Sequence, residues 1–178
     1  MTKWTLSKST THQNRFLIVG DSKIISKPEN QKKIRNYPKD ISAIKDIDNT
    51  KLTAIYSTSG IEFGGDKCDI YINSNEKKKP TRFYYITDNS LHHTKVDSLI
   101  TDIDNTGKKT GEVKIESGKI CFHALGNTEN KDSGYIAEWN NSFIFNVSNG
   151  IYEVFHFDFI YEENEIKECD TMFSVKKK

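Results

Sequence analysis

The chain has 178 residues, enough for one domain with a sizeable core and short for two. Its apolar share is 35%, its charged share 29% and its net charge +1, a balance that argues against a protein built to neutralise nucleic-acid phosphates. Ten Phe and eight Tyr offer too much buriable area for a disordered chain, and no apolar run approaches the ~20 residues that a spanning helix needs.

The charge is unevenly placed. Residues 1–50 carry ten Lys/Arg against five Asp/Glu, residues 51–110 nine against eight, and residues 111–175 four against twelve. The last three residues are all Lys. A basic first third and an acidic last third (−8) predict either an acidic face that attracts basic partners or two regions that neutralise each other. Three dispersed cysteines (Cys68, Cys121, Cys169) form no CxxC pair. With no apolar leader after Met1, they predict a cytoplasmic protein with reduced thiols. The sequons at Asn140 and Asn146 are then chance matches.

In chain order, Trp4–Leu6 and Phe16–Val19 are short apolar runs, read as a hairpin from about 3–7 to 15–19. Gly20-Asp21-Ser22-Lys23 is a fragment of a phosphate loop without the GxxxxGK[ST] spacing, so it reads as a strand end and a turn. Residues 26–50 are the most polar stretch. Its Lys32, Lys33 and Arg35 are read as a solvated face, and Asp40 caps a short helix carrying Ile41, Ile44 and Ile47.

From Lys51 onward, strand alternation is steady. Leu52–Ser57, Ile61–Phe63, Cys68–Ile72 and Thr81–Thr87 are separated by Gly-, Asn- and Pro-rich turns. Leu91, Val96, Leu99, Ile100 and Ile103 recur at helical spacing and predict one helix near 90–104. Glu112–Glu116 and Lys119–Ala124 flank Ser117-Gly118, a two-residue hairpin signal. A polar loop over 126–134, a short strand over 135–139 and a turn at Asn140-Asn141 follow. Ser142–Val175 is read as a three-stranded meander turning at Asn149-Gly150 and Glu162–Asn164, with a frayed Lys176–Lys178 tail. In its central strand, Phe155, Phe157 and Phe159 form the expected core face. Tyr152, Val154, His156, Asp158 and Ile160 form a boundary face. The expected fold is a single α+β domain over 1–178. It is predominantly antiparallel β-sheet, strongly twisted or half-barrel, with one or two helices packed on one face.

No catalytic or cofactor signature stands out. GxSxG is absent, and no cysteine lies in a nucleophile context. Cys121, His123, His156 and Asp158 would make a metal site only if their strands were neighbours, and no spacing motif supports one. Adjacent His92 and His93 diverge by about 100° on a helix and cannot grip one ion. Arg82-Phe83-Tyr84-Tyr85 after three lysines could stack bases, but alternate aromatics are the commoner mark of a core strand. The expectation is a protein without enzymatic activity, cofactor or metal, and without membrane or direct nucleic-acid partners.

The acidic segment from Glu153 to Asp170, with Tyr152, Phe155, Phe157, Phe159 and Tyr161, resembles the bacterial immunity proteins of contact-dependent growth inhibition and related polymorphic toxin systems. The resemblance is one of general character over the whole chain, and it transfers no residue. It implies a tight complex with a cognate toxin domain, in some cases a nuclease. Carboxylates steer a basic partner and aromatic anchors supply binding energy. The expected partner-binding residues are Glu153, His156, Asp158, Glu162, Glu163 and Glu165. The alternative is a small-ligand-binding β-barrel with Phe155, Phe157 and Phe159 around a pocket.

Overall fold

The computed structural model describes residues 4–12, 16–36, 52–56, 66–87, 96–130, 135–163 and 166–178. Ten strands and three α-helices lie in these segments. In order they are β1 (Trp4–His12), β2 (Phe16–Asp21), α1 (Ser22–Ile25), α2 (Pro28–Asn36), β3 (Leu52–Tyr56), β4 (Asp66–Asn73), β5 (Arg82–Thr87), α3 (Val96–Thr106), β6 (Lys108–Ile115), β7 (Lys119–Asn130), β8 (Tyr135–Asn146), β9 (Gly150–Glu163) and β10 (Ile166–Lys177). The predominantly antiparallel α+β fold matches the sequence expectation, with the sheet divided in two. One sheet has the order β1-β4-β5-β10-β9-β6, the other β3-β2-β7-β8.

The two sheets close on one core. Ile70, Ile72, Phe83, Tyr85, Val113, Tyr152, Val154, Phe173 and Val175 from the six-stranded sheet meet Val19, Ile120, Phe122 and Phe145 from the four-stranded sheet. Phe83, Phe122 and Phe145 stand at mutual ring distances of 5.0–5.8 Å and fill the space between the layers. Each buried ring removes a large apolar area from water, and tilted or edge contacts suit the ring quadrupole. A second cluster lies on the far face of the larger sheet. There Ile100 and Ile103 of α3 cover Tyr71 and Tyr84, with Trp4 and Phe157 at its margin.

Glycine turn chemistry was legible, but its use was not. Ser117-Gly118 and Asn149-Gly150 do not close hairpins within one sheet. They carry the chain from β6 to β7 and from β8 to β9, that is, from one sheet to the other. Gly118 (φ 72°) and Gly150 (φ 144°) hold left-handed conformations that favour glycine. The two crossovers are tied by Val147 N–H donating to the Gly118 carbonyl at 2.9 Å. The expected three-stranded meander is therefore a two-stranded one, since β8 pairs with β7 while β9 pairs with β10.

Other expectations are corrected too. β1 and β2 form no hairpin: β1 pairs with β4, and β2 with β3 and β7. Asn140-Asn141 is no turn, because β8 runs through it opposite Leu125 and Ala124. Most of the expected polar loop is the second half of β7. The lysine tail is not frayed: β10 reaches Lys177, and Lys178 N–H donates to the Ile151 carbonyl at 2.9 Å. The helix expected from Asp40 and the strand at 61–63 lie outside the described residues.

The core face of β9 is the reverse of the one expected. Tyr152 and Val154 are fully buried between the sheets, because the ladders set them beside Val113 and Val175. Phe155 and Phe157 are half-buried on the opposite face, where Phe157 meets the α3 cluster and the Lys176 ammonium sits 4.1 Å over the Phe155 ring. Counting rings picks the wrong face when a helix covers the outer one.

Candidate protein-interaction surface

The register of β9 and β10 makes the acidic segment stand out. β9 pairs with β6 only over Gly150–His156, and β10 pairs with β5 only over Met172–Lys176. Beyond those limits Asp158–Glu163 and Ile166–Thr171 pair with each other and with no other described strand. At about 3.3 Å per residue this two-stranded ribbon continues roughly 20 Å past its ladder partners β5 and β6. It carries Asp158, Glu162, Glu163, Glu168 and Asp170 against one basic residue, Lys167, which stands opposite Glu162. Like charges spaced closely along one strand pair set up a negative potential that reaches about a Debye length.

The structure divides the expected binding residues. Asp158, Glu162 and Glu163 lie in the ribbon backbone, and Glu165 lies outside the described residues. Glu153 sits in the body of the sheet. Its Oε1 accepts from Lys109 Nζ at 2.9 Å, and Lys109 also pairs with Glu112, which Lys178 approaches at 3.5 Å. The exposed Lys109 ammonium has its pKa raised by the bonds to Glu112 and Glu153. Glu112 is held below the usual carboxylate range, chiefly by its bond to Lys109. Lys114 adds a pair with Glu116 at 2.6 Å, so this patch is close to neutral by its own lysines. His156 is half-buried on the other face of β9 and stacks on Phe173 at 5.3 Å. Glu153 and His156 therefore do not act as one surface, and the ribbon is the concentrated part of the site.

The metal constellation does not assemble. Cys121 and His123 belong to β7 in one sheet, His156 and Asp158 to β9 in the other. Ile120 and Phe122 fill the inter-sheet core, so Cys121 and His123 alternate to the far side of their sheet. There both are buried, His123 Nδ1 bonds to Ser142 Oγ at 2.7 Å, and burial pushes the Cys121 thiol up to about 11. That thiol is a poor nucleophile at neutral pH. Among the described residues, no group of three or more His, Cys, Asp or Glu could hold a metal ion. Phe83, Tyr84 and Tyr85 are all buried and offer no exposed ring for base stacking. A ligand-binding barrel would need a closed sheet around a cavity. The described strands instead form two sheets on an interior filled by Phe83, Phe122 and Phe145.

A second feature escaped sequence reasoning. A shallow cleft of about 410 Å³ lies between β1, β5 and α3, lined by Trp4, Arg82, Asp97, Ile100, Thr101, Asp104 and Asn105. Its wall is an ordered network. Arg82 Nη1 donates to Asp104 Oδ2 at 2.8 Å, the Tyr84 hydroxyl donates to both Asp104 oxygens at 2.9–3.0 Å, and Trp4 meets the Tyr84 ring edge-on at 4.6 Å. The signal available in advance was α3 itself, with three Asp and no basic residue. The network accounts for Arg82 and Asp104 as the clamp that holds α3 on the sheet.

Among the described residues no helix is long and apolar enough to cross a membrane. Comparison of the chain with protein-family models, curated proteins and solved structures finds no match.

Proposed function

We propose that this chain is an immunity protein: it neutralises a cognate bacterial toxin, in the manner of contact-dependent inhibition systems, by a tight protein–protein complex. The observation that carries the reading is the β9–β10 ribbon, where five carboxylates stand against one lysine on backbone paired beyond the β5 and β6 ladders. A protruding strand pair reaches into a concave partner surface, and its carboxylates meet the cationic groups with which a nuclease or other basic toxin domain holds its substrate. The sandwich behind it is a rigid support, because the aromatic core and the two glycine crossovers fix the strands from which the ribbon grows. The residues assigned to contact are Asp158, Glu162, Glu163 and Glu165, with Glu153 and His156 outside the central patch.

The test is growth protection. The chain is expressed in cells that make the toxin encoded beside it, and the two products are co-purified. Protection together with a stable one-to-one complex supports the reading. A toxin that kills equally with and without the chain, and that does not co-purify with it, overturns it.

A further inference from the structure

The ends of the two sheets differ in a way that assigns a second interface. A sheet edge exposes unpaired N–H and C=O groups, and chains protect such edges with short strands, bulges, lysines or prolines. Three of the four edges formed by the described strands carry such protection. β3 is five residues long. β1 has a register shift between Leu6 and Lys8, and places Lys8 beside it. β6 has a register shift between Lys109 and Gly111 and carries Lys108, Lys109 and Lys114.

The fourth edge, β8, has none of them. It is twelve residues long, reads YIAEWNNSFIFN, contains one charged residue (Glu138) and no Lys, Arg or Pro, and pairs with β7 without a register shift. No other described strand forms a ladder with it; β1 of the facing sheet lies nearby and pairs only with β4. Ile144 on this strand is 51% exposed, the most exposed large apolar side chain among the described residues.

We propose that β8 is a strand-pairing edge whose occupant is β8 of a second copy, in antiparallel register about a two-fold axis at Asn140. An antiparallel pair related by a two-fold keeps equivalent faces on the same side, so opposite residues must share parity. Centring on Asn140 sets Ile136 opposite Ile144 of the second copy and Glu138 opposite Ser142. The exposed Ile144 is then covered by an apolar residue, and the strand's lone carboxylate meets no like charge. A nearly neutral edge gives a basic partner nothing to steer by, whereas it suits a copy of itself. The paired protomers share one continuous eight-stranded sheet. The inference rests on the edge alone and stands apart from the role assigned to the β9–β10 ribbon.

The 178-residue chain is tested by light scattering across a concentration series and by hydrogen exchange of the β8 amides. The expected result is a dimer that dissociates on dilution, with β8 protection lost in step. Ile144→Lys places an ammonium opposite Ile136 and raises the dimer Kd by at least about tenfold. It leaves the fold intact because the side chain is half-exposed, which circular dichroism checks. Mixing Ile144→Lys with Ile136→Glu copies restores association, since each mixed pair holds one lysine opposite one glutamate. A wild-type chain that is monomeric at every concentration overturns the proposal. So does an Ile144→Lys dimer as tight as wild type, or β8 protection that arises only when a different protein is added. Failure of the mixed copies to associate overturns the register.

Discussion

Asp21 and Glu116 are 95 positions apart in sequence, yet the Glu116 backbone N–H donates to Asp21 Oδ2 at 2.7 Å. The same oxygen accepts from Ser117 N–H at 2.8 Å, and Oδ1 accepts from Lys23 N–H at 2.9 Å as the cap of α1. One buried carboxylate thus ends β2, starts a helix and holds the corner where the chain leaves the larger sheet. It also withholds the Glu116 and Ser117 N–H groups from any ladder, which is why Ser117-Gly118 makes a crossover instead of a hairpin.

Replacing Asp21 with Ala removes the acceptor for three backbone donors at a buried site. The expected cost is about 3 kcal/mol, the sum of a lost cap and two unsatisfied donors. Urea unfolding reads it as a lower midpoint at unchanged slope.

The same group makes stability depend on pH. Burial alone would raise the Asp21 pKa, but the backbone bonds from Glu116, Ser117 and Lys23 outweigh it and hold the group below its ordinary value. A carboxylate with a depressed folded pKa stabilises above its unfolded value of about 3.9, and that contribution is lost as pH falls through the folded value. Urea midpoints measured from pH 6 down to pH 2 should fall less steeply in Asp21→Asn than in wild type over the acid end of that range. Parallel curves for the two chains would exclude Asp21 as a contributor.

Phe83 is fully buried and touches rings from the opposite sheet, so it is the central connection between the layers. Phe83→Ala should cost about 3–5 kcal/mol. Phe83→Leu should cost markedly less, because most of the volume is retained. Thermal unfolding of the pair separates cavity formation from a simple loss of aromatic contact.

Tyr84→Phe tests the clamp on α3. The ring still fills its site, while Asp104 keeps Arg82 and loses the hydroxyl. A loss of about 1 kcal/mol is expected. Hydrogen exchange should locate it in α3 and leave the amides of the inter-sheet core protected.

The strands of the larger sheet were the most legible part of the sequence. The β4 and β5 alternations, the helix containing Ile100 and Ile103, and the glycine turns at 118 and 150 were all readable, because each follows from local periodicity or turn chemistry. Sheet membership was not. Ser117-Gly118 looks like a hairpin turn to any local rule, and distant partners, the Asp21 carboxylate and the Val147 N–H, hold it as a corner. The face of β9 was misread for a related reason: Phe155, Phe157 and Phe159 outnumber Tyr152 and Val154, yet cross-strand partners 20 to 40 residues away decide which set lies inside. The acidic ribbon was visible as a charge imbalance near Glu162. That Glu153 is neutralised by Lys109 from another strand was not, since only strand pairing brings the two together. The unprotected edge of β8 appears only once Asn140-Asn141 is seen to lie within one strand.

The central claim is that the carboxylates of the β9–β10 ribbon bind a basic toxin domain. The most direct measurement is titration calorimetry of the cognate toxin against wild type and a Glu162→Lys, Glu163→Lys double variant, each at low and high salt. The account predicts at least about a hundredfold weaker binding for the variant and a salt dependence that shrinks with it. Equal affinity for the two chains, or affinity that does not change with salt, would contradict it.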